Sequence, residues 1–154
     1  MKYIFTVIAA ILILSTNAQQ VKPDPVLYGK INTTDLTSSP YNKWFDKGFT
    51  EYNSNTETKS KLTPALTKGI SIEIFLGTWC GDSKREVPRF LKLLDEIKFN
   101  KANVKIIAVG ASDSLYKQSP QGEEKNKGIY RVPTFIVYRN GVEINRINEY
   151  PALS

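Results

Sequence analysis

Cys80 is the only thiol in the chain, and histidine is absent. Cys–His and Ser–His catalysis are therefore excluded, and no intramolecular disulfide can form. Metal ligation would have to come from carboxylates alone, and no D-x-D-x-D-G calcium loop is present. What stays open to Cys80 is nucleophilic attack by its thiolate, typically on a disulfide sulfur. The residue stands in Gly77-Thr78-Trp79-Cys80-Gly81-Asp82-Ser83. Before it, Ile70, Ile72, Ile74 and Leu76 alternate onto one face and Phe75 joins from the other, which predicts a largely buried strand. After it the period changes. Val87, Phe90, Leu91, Leu94 and Ile97 recur at helical spacing, with Lys84, Arg85, Glu86, Arg89, Lys92, Asp95 and Glu96 on the other side. Cys80 is thus expected at a helix N-terminus, where free N–H groups and the helix dipole favour an anion.

Trp79-Cys80-Gly81 with Pro88 eight residues past the cysteine resembles the active-site segment of the thioredoxin superfamily. Arg131-Val132-Pro133-Thr134, followed by Phe135 to Glu143, is similar to that family's cis-proline loop and the hairpin after it. The resemblance runs from about Ile70 to Tyr150. It implies an α/β, thioredoxin-like fold with a central mixed sheet flanked by helices, and thiol–disulfide exchange as the chemistry. Cys80, Ser83 and Pro133 would form the catalytic set. Trp79, Gly81, Asp82, Val132 and Thr134 would line the substrate, and neither a metal nor a cofactor is implied. Lacking an N–H, Pro133 in a cis bond would expose the backbone groups of Val132 to an extended substrate strand.

The chain departs from the family pattern in ways that bear on mechanism. Ser83 stands where dithiol members carry a second cysteine, so the motif is Cys-x-x-Ser. Ser83 cannot resolve a mixed disulfide, although its hydroxyl is able to donate to a thiolate. A carboxylate at Asp82 would disfavour a second negative charge on the sulfur, and Lys84 and Arg85 would offset part of that. The family's buried acid, six residues before the nucleophile, is Ile74, and the Thr that peroxidatic motifs place three residues before cysteine is Gly77.

From the start of the chain, Lys2, the apolar run Ile4 to Leu14 and the small-residue site Thr16-Asn17-Ala18 read as a signal peptide over residues 1–18. The run is too short to span a bilayer, which takes about 20 residues. The expectation is an exported bacterial protein, periplasmic or secreted, without stable membrane insertion after cleavage. Residues 19–68 are expected to pack as an N-terminal extension on a core at 69–154. The formal net charge of +6 brings no basic run with interleaved aromatics, so nucleic acid is not an expected partner. The expected partners are exported proteins with cysteines or disulfides, and a small-molecule thiol.

Within the extension, Val26 to Ile31 reads as a short edge strand. Tyr41, Trp44, Phe45, Phe49 and Tyr52 recur at spacings of three and four, either as a helix packed on the core or as a substrate-binding ridge. A helix is expected within Thr56 to Thr67, a second buried strand over Val104 to Val109, and a long loop with a helical turn or two over Ala111 to Lys127. Asn140-Gly141 predicts a two-residue hairpin. In the family a closing helix follows that hairpin, and here Tyr150 to Ser154 ends the sequence where it would begin. Either the closing helix is truncated or missing, or the N-terminal segment covers that face. Two functions are compatible with these residues: monothiol exchange through Cys80, of isomerase or reductase type, and a redox-inactive protein-binding module that keeps the groove.

Overall fold

The strand and helix periods are realised in the computed structural model, which describes residues 24–66 and 68–151. The segment read as a signal peptide lies outside the described residues, as do residues 152–154 at the end. In chain order the elements are β1 (Gly29–Ile31), α1 (Thr33–Leu36), α2 (Asn42–Glu51), α3 (Thr56–Ala65) and β2 (Ile70–Leu76). There follow α4 (Gly81–Glu96), β3 (Val104–Ala108), β4 (Thr134–Arg139) and β5 (Val142–Asn148). They build one mixed sheet in the order β1-β3-β2-β4-β5. Only the β2–β3 pair is parallel.

The alternation in β2 sorts the core into two layers. Ile70, Ile72, Ile74 and Leu76 meet Val87 and Leu94 of α4, Leu36, Phe45 of α2, Ile106 and Phe135, all buried. Burying a side chain of this size contributes roughly 1.5–3 kcal/mol, so this layer is what holds α4 to the sheet. On the opposite face Phe75, Ile107, Val109, Val132 and Ile136 form a second cluster, against which Ile129 and Tyr138 pack. Lower on that face the Glu73 carboxylate is held by the Lys127 ammonium and by the Tyr138 hydroxyl, which donates at 2.9 Å. Burial, and then the bond to Glu73, push the Tyr138 phenol above its ordinary range.

The aromatic residues of the extension belong to the fold. In α2, Phe45 is 2% exposed and stacks on Phe49 with centroids 5.8 Å apart. The Lys92 ammonium lies over the Phe49 ring at 5.3 Å. Gly48 lets the two helices approach, since a Cβ there would stand 2.6 Å from Pro88 Cγ. The proline inside α4 is thus also the contact with α2. With β1 paired to β3 and α2 laid along α4, the segment read as an extension supplies both an edge strand and a helical layer. The N-terminal segment thus covers part of the α4 side of the sheet.

Helix ends follow local chemistry. Asn55 caps α3, its side chain accepting from Glu57 N at 2.7 Å. α4 stops where Lys98 turns left-handed at φ 56°, and Phe99 N bonds back to Leu94 O at 2.9 Å. At the hairpin Asn140 and Gly141 take φ of 51° and 81°, as a type I′ turn requires. The loop after β3 contains one 3₁₀ turn, Asp113–Leu115, and folds back on itself through Gly110 N to Gln118 O at 2.9 Å.

Candidate active site

Cys80 is the N-cap of α4, with extended backbone at φ −86° and ψ 127°. Its side chain makes no capping bond. Instead the thiol donates to the carbonyl oxygen of Val132, with Sγ 3.1 Å from that oxygen. Residues 52 positions apart are thereby joined. Cys80 is partly exposed, and its sulfur sits between the first turn of α4 and the Val132–Pro133 loop, whose peptide bond is cis. The first-turn N–H groups of α4 lack intrahelical partners, so the sulfur stands at the anion-favouring end of the helix. Gly81 is exposed, and a Cβ there would meet nothing within 4 Å.

Several predicted site residues take other roles. Ser83 is fully buried, and its hydroxyl oxygen accepts from Gly77 N at 3.1 Å. It ties the loop before Cys80 to α4 through its acceptor lone pair, and among the described residues no bond from its hydroxyl to the Cys80 sulfur is seen. Asp82 is ion-paired to Arg85 at 2.7 Å, and Arg85 also pairs with Glu86. The charge expected to oppose a thiolate is therefore largely balanced along the helix. The Val132 side chain is 3% exposed and packs in the second core cluster. Its carbonyl is engaged by Cys80. Pro133 is buried, and Thr134 is entirely so. The Thr134 hydroxyl donates to Arg131 O at 2.7 Å and lies 3.1 Å from Asn148 Oδ1. As a brace for the loop it presents no side-chain surface to a substrate, contrary to the expectation.

Thr134→Val would remove this brace and leave the Arg131 and Asn148 oxygens without their partner. The expected cost is about 1–3 kcal/mol in urea unfolding, with a changed rate of iodoacetamide alkylation at Cys80. Parent values for both would show that the hydroxyl holds nothing in place.

Trp79 lies back over Gly77, where a Cβ would stand 2.6 Å from its Cε2, and its Nε1–H donates to Val109 O at 3.1 Å. Its ring is flanked by Tyr116, with centroids 5.3 Å apart. Tyr116 is 50% exposed and Tyr130 is 83% exposed. The Lys117 ammonium joins them, bonding Tyr130 O and lying 4.8 Å from the centroid of the Tyr116 ring. Sequence reasoning missed both tyrosines: Tyr116 lies in a loop without apolar period that only the fold brings beside Trp79, and Tyr130 stands just past that loop, two residues before Val132. It also missed Thr78, 3% exposed, whose Oγ1 accepts from Leu27 N at 3.1 Å and ties residues of the N-terminal segment to the active-site loop.

A mixed sheet in the order β1-β3-β2-β4-β5, with a cysteine at the N-cap of the helix after the central strand and facing the loop at the head of the next antiparallel strand, decides the architecture. The fold is thioredoxin-like. Over 58% of its length the chain aligns with 76% of the thioredoxin of Fasciola hepatica, at 20% identity and a TM-score of 0.38. The same share aligns with 78% of Chlamydomonas reinhardtii thioredoxin f2, at 24% identity and 0.37. Arabidopsis thaliana thioredoxin O2 in its oxidised state aligns over 58% of this chain and 76% of its own, at 20% identity and 0.37. No protein-family model and no curated protein matches the sequence. The chemistry of the thioredoxin-like site therefore rests on its own geometry.

Proposed function

We propose that the protein is an exported thiol–disulfide exchange protein that works through Cys80 alone, in the bacterial periplasm or outside the cell. The observation that carries this reading is the partly exposed Cys80 at the N-terminus of α4, its sulfur 3.1 Å from the Val132 carbonyl. In the first step Cys80 loses its proton and its sulfur attacks one sulfur of a substrate disulfide. A Cys80–substrate disulfide forms, and the displaced substrate thiolate takes up a proton. In the second step another thiolate of the same substrate, or a small-molecule thiol, attacks the substrate sulfur and releases Cys80. When the substrate supplies both thiols the reaction is isomerisation without net redox change. When a small thiol supplies the second, the substrate is left with one thiol and one mixed disulfide to the small thiol. A second small thiol then attacks the small-thiol sulfur of that adduct, releasing the substrate fully reduced together with a small-molecule disulfide. Clients would be exported proteins with cysteines or disulfides.

The experiment is reactivation of a protein refolded with scrambled disulfides, in a buffer containing a small thiol. Parent protein is expected to accelerate recovery, and Cys80→Ser to lose the acceleration completely. Tyr116→Ala should slow exchange with polypeptides several-fold while leaving exchange with a small disulfide unchanged, since the exposed ring offers contact area only to a large partner. Acceleration that survives in Cys80→Ser sinks the exchange reading. Partners that co-purify equally with parent and Cys80→Ser, without any covalent adduct, would favour the redox-inactive binding module, whose contact surface would be the exposed Tyr116 and Tyr130.

A further inference from the structure

β5 is the last strand of the sheet, and no described residue pairs with its outer edge. It is seven residues long, has no proline, and carries Val142 at 67% and Ile144 at 48% exposure. The other edge strand, β1, has three residues and lies against the loop at Pro120, near the ion pair Lys30–Glu123. An open edge of this length is a template for another strand.

The register within β5 indicates which strand fits. Asn145 lies opposite Val137 and Glu143 opposite Tyr138, so Ile144 is an extra residue, a β-bulge. In a regular strand residues an odd number apart point to opposite faces. The bulge cancels that. Glu143 and Arg146, opposite Tyr138 and Ile136, share one face, and Val142 and Ile147, opposite Arg139 and Phe135, share the other. The common face is visible in the bidentate Glu143–Arg146 ion pair at 2.6 and 2.7 Å.

We propose that two copies of this chain associate by pairing their β5 edges antiparallel, about a two-fold axis normal to the sheet between Ile144 and Asn145. Such an axis keeps each face on its own side. It sets Glu143 of each copy opposite Arg146 of the other on one face, and Val142 opposite Ile147 on the other. Opposite charges and apolar pairs facing across strands both stabilise a sheet. Moving the axis onto Asn145 would set Glu143 against Ile147 and lose both matches, so the pairing is specific in register. Phe75, Thr134 and Asn148 are neighbours at the end of the sheet that leads to Cys80. Antiparallel pairing therefore places the two Cys80 sites at opposite ends, where neither is blocked and no thiol is needed for association.

The test is sedimentation velocity over about 1 μM to 1 mM, where a monomer–dimer equilibrium is expected for the parent. Glu143→Arg makes the pair positive only, and Arg146→Glu makes it negative only. Each should weaken self-association at least about tenfold, because like charges then face each other. An equimolar mixture of the two variants should recover it. Since neither variant retains its own ion pair, recovery reports only the contact between copies. Val142→Lys, which leaves the ion pair intact, should also lose the dimer, and Cys80→Ser should keep it. The proposal is overturned by a parent that stays monomeric throughout, by a mixture no tighter than its components, or by a dimer that persists in Val142→Lys. A dimer lost in Cys80→Ser would point to an intermolecular disulfide instead and equally overturns it. Exchange activity is read separately, so either proposal can fail alone.

Discussion

Treated with an excess of an aromatic disulfide that releases a coloured thiol, the protein is expected to release one equivalent and retain the other half as an adduct on Cys80. Ser83→Cys is expected to release two equivalents and retain none. The parent has one thiol, so its mixed disulfide has no internal route onward. In the variant the introduced thiolate attacks the Cys80 sulfur, an intrachain disulfide forms, and the second aromatic thiolate leaves. Position 83 suits this because it lies in the first turn of α4, three residues from the N-cap, and is shielded from solvent. The measurement is absorbance of the released thiol together with intact mass. No release from the folded parent would show that the sulfur is not accessible to attack. An adduct that persists in the variant would show that the two side chains cannot meet.

Phe135→Ala is expected to destabilise the fold by about 3–5 kcal/mol, read as a lower urea midpoint with an unchanged slope. The ring is 2% exposed, stacks on Phe90 of α4 with centroids 4.4 Å apart, and stands opposite Ile74 and Ile147 across the two neighbouring strands. It fills the junction between α4 and the strand that continues from the Val132–Pro133 loop. Losing it would both open a cavity and loosen the two elements that position Cys80, so faster alkylation of the thiol should accompany the loss of stability. Val142→Ala on the same hairpin serves as the contrast, since an exposed side chain of this kind is worth about 0.5 kcal/mol or less in the monomer. Equal effects from the two substitutions would contradict the burial pattern that defines the core.

The parts of the site that were legible from residues alone are those set by local chemistry. The change from period two to helical period around Cys80 located both the central strand and α4, and with them the N-cap position of the sulfur. Asn140-Gly141 located the hairpin, because left-handed backbone at both positions is rarely available to other residue pairs. The hydrogen-bond partners of Ser83 and Thr134 were not legible for one shared reason. A hydroxyl near a cysteine in sequence or by family analogy has many acceptors within reach, and which one it meets depends on side-chain directions that spacing does not encode. Ser83 turns to Gly77, and Thr134 to Arg131 and Asn148.

What the sequence by itself determined is therefore a cysteine and its immediate setting: one thiol, no histidine, and a strand-to-helix junction that puts the sulfur at a helix N-terminus. Only the tertiary structure decided what meets that sulfur. Val132 O reaches it from 52 residues away, Tyr116 is carried beside Trp79 by a loop without a repeating pattern, and Leu27 ties residues of the N-terminal segment to Thr78. The same holds for α2, whose aromatic spacing left both a core helix and a binding ridge open until it was seen packed against Pro88 and Lys92. Periodicity reports which side of an element is apolar. It carries no information on which distant element that side will meet, because that choice is made by the register and closure of the whole sheet.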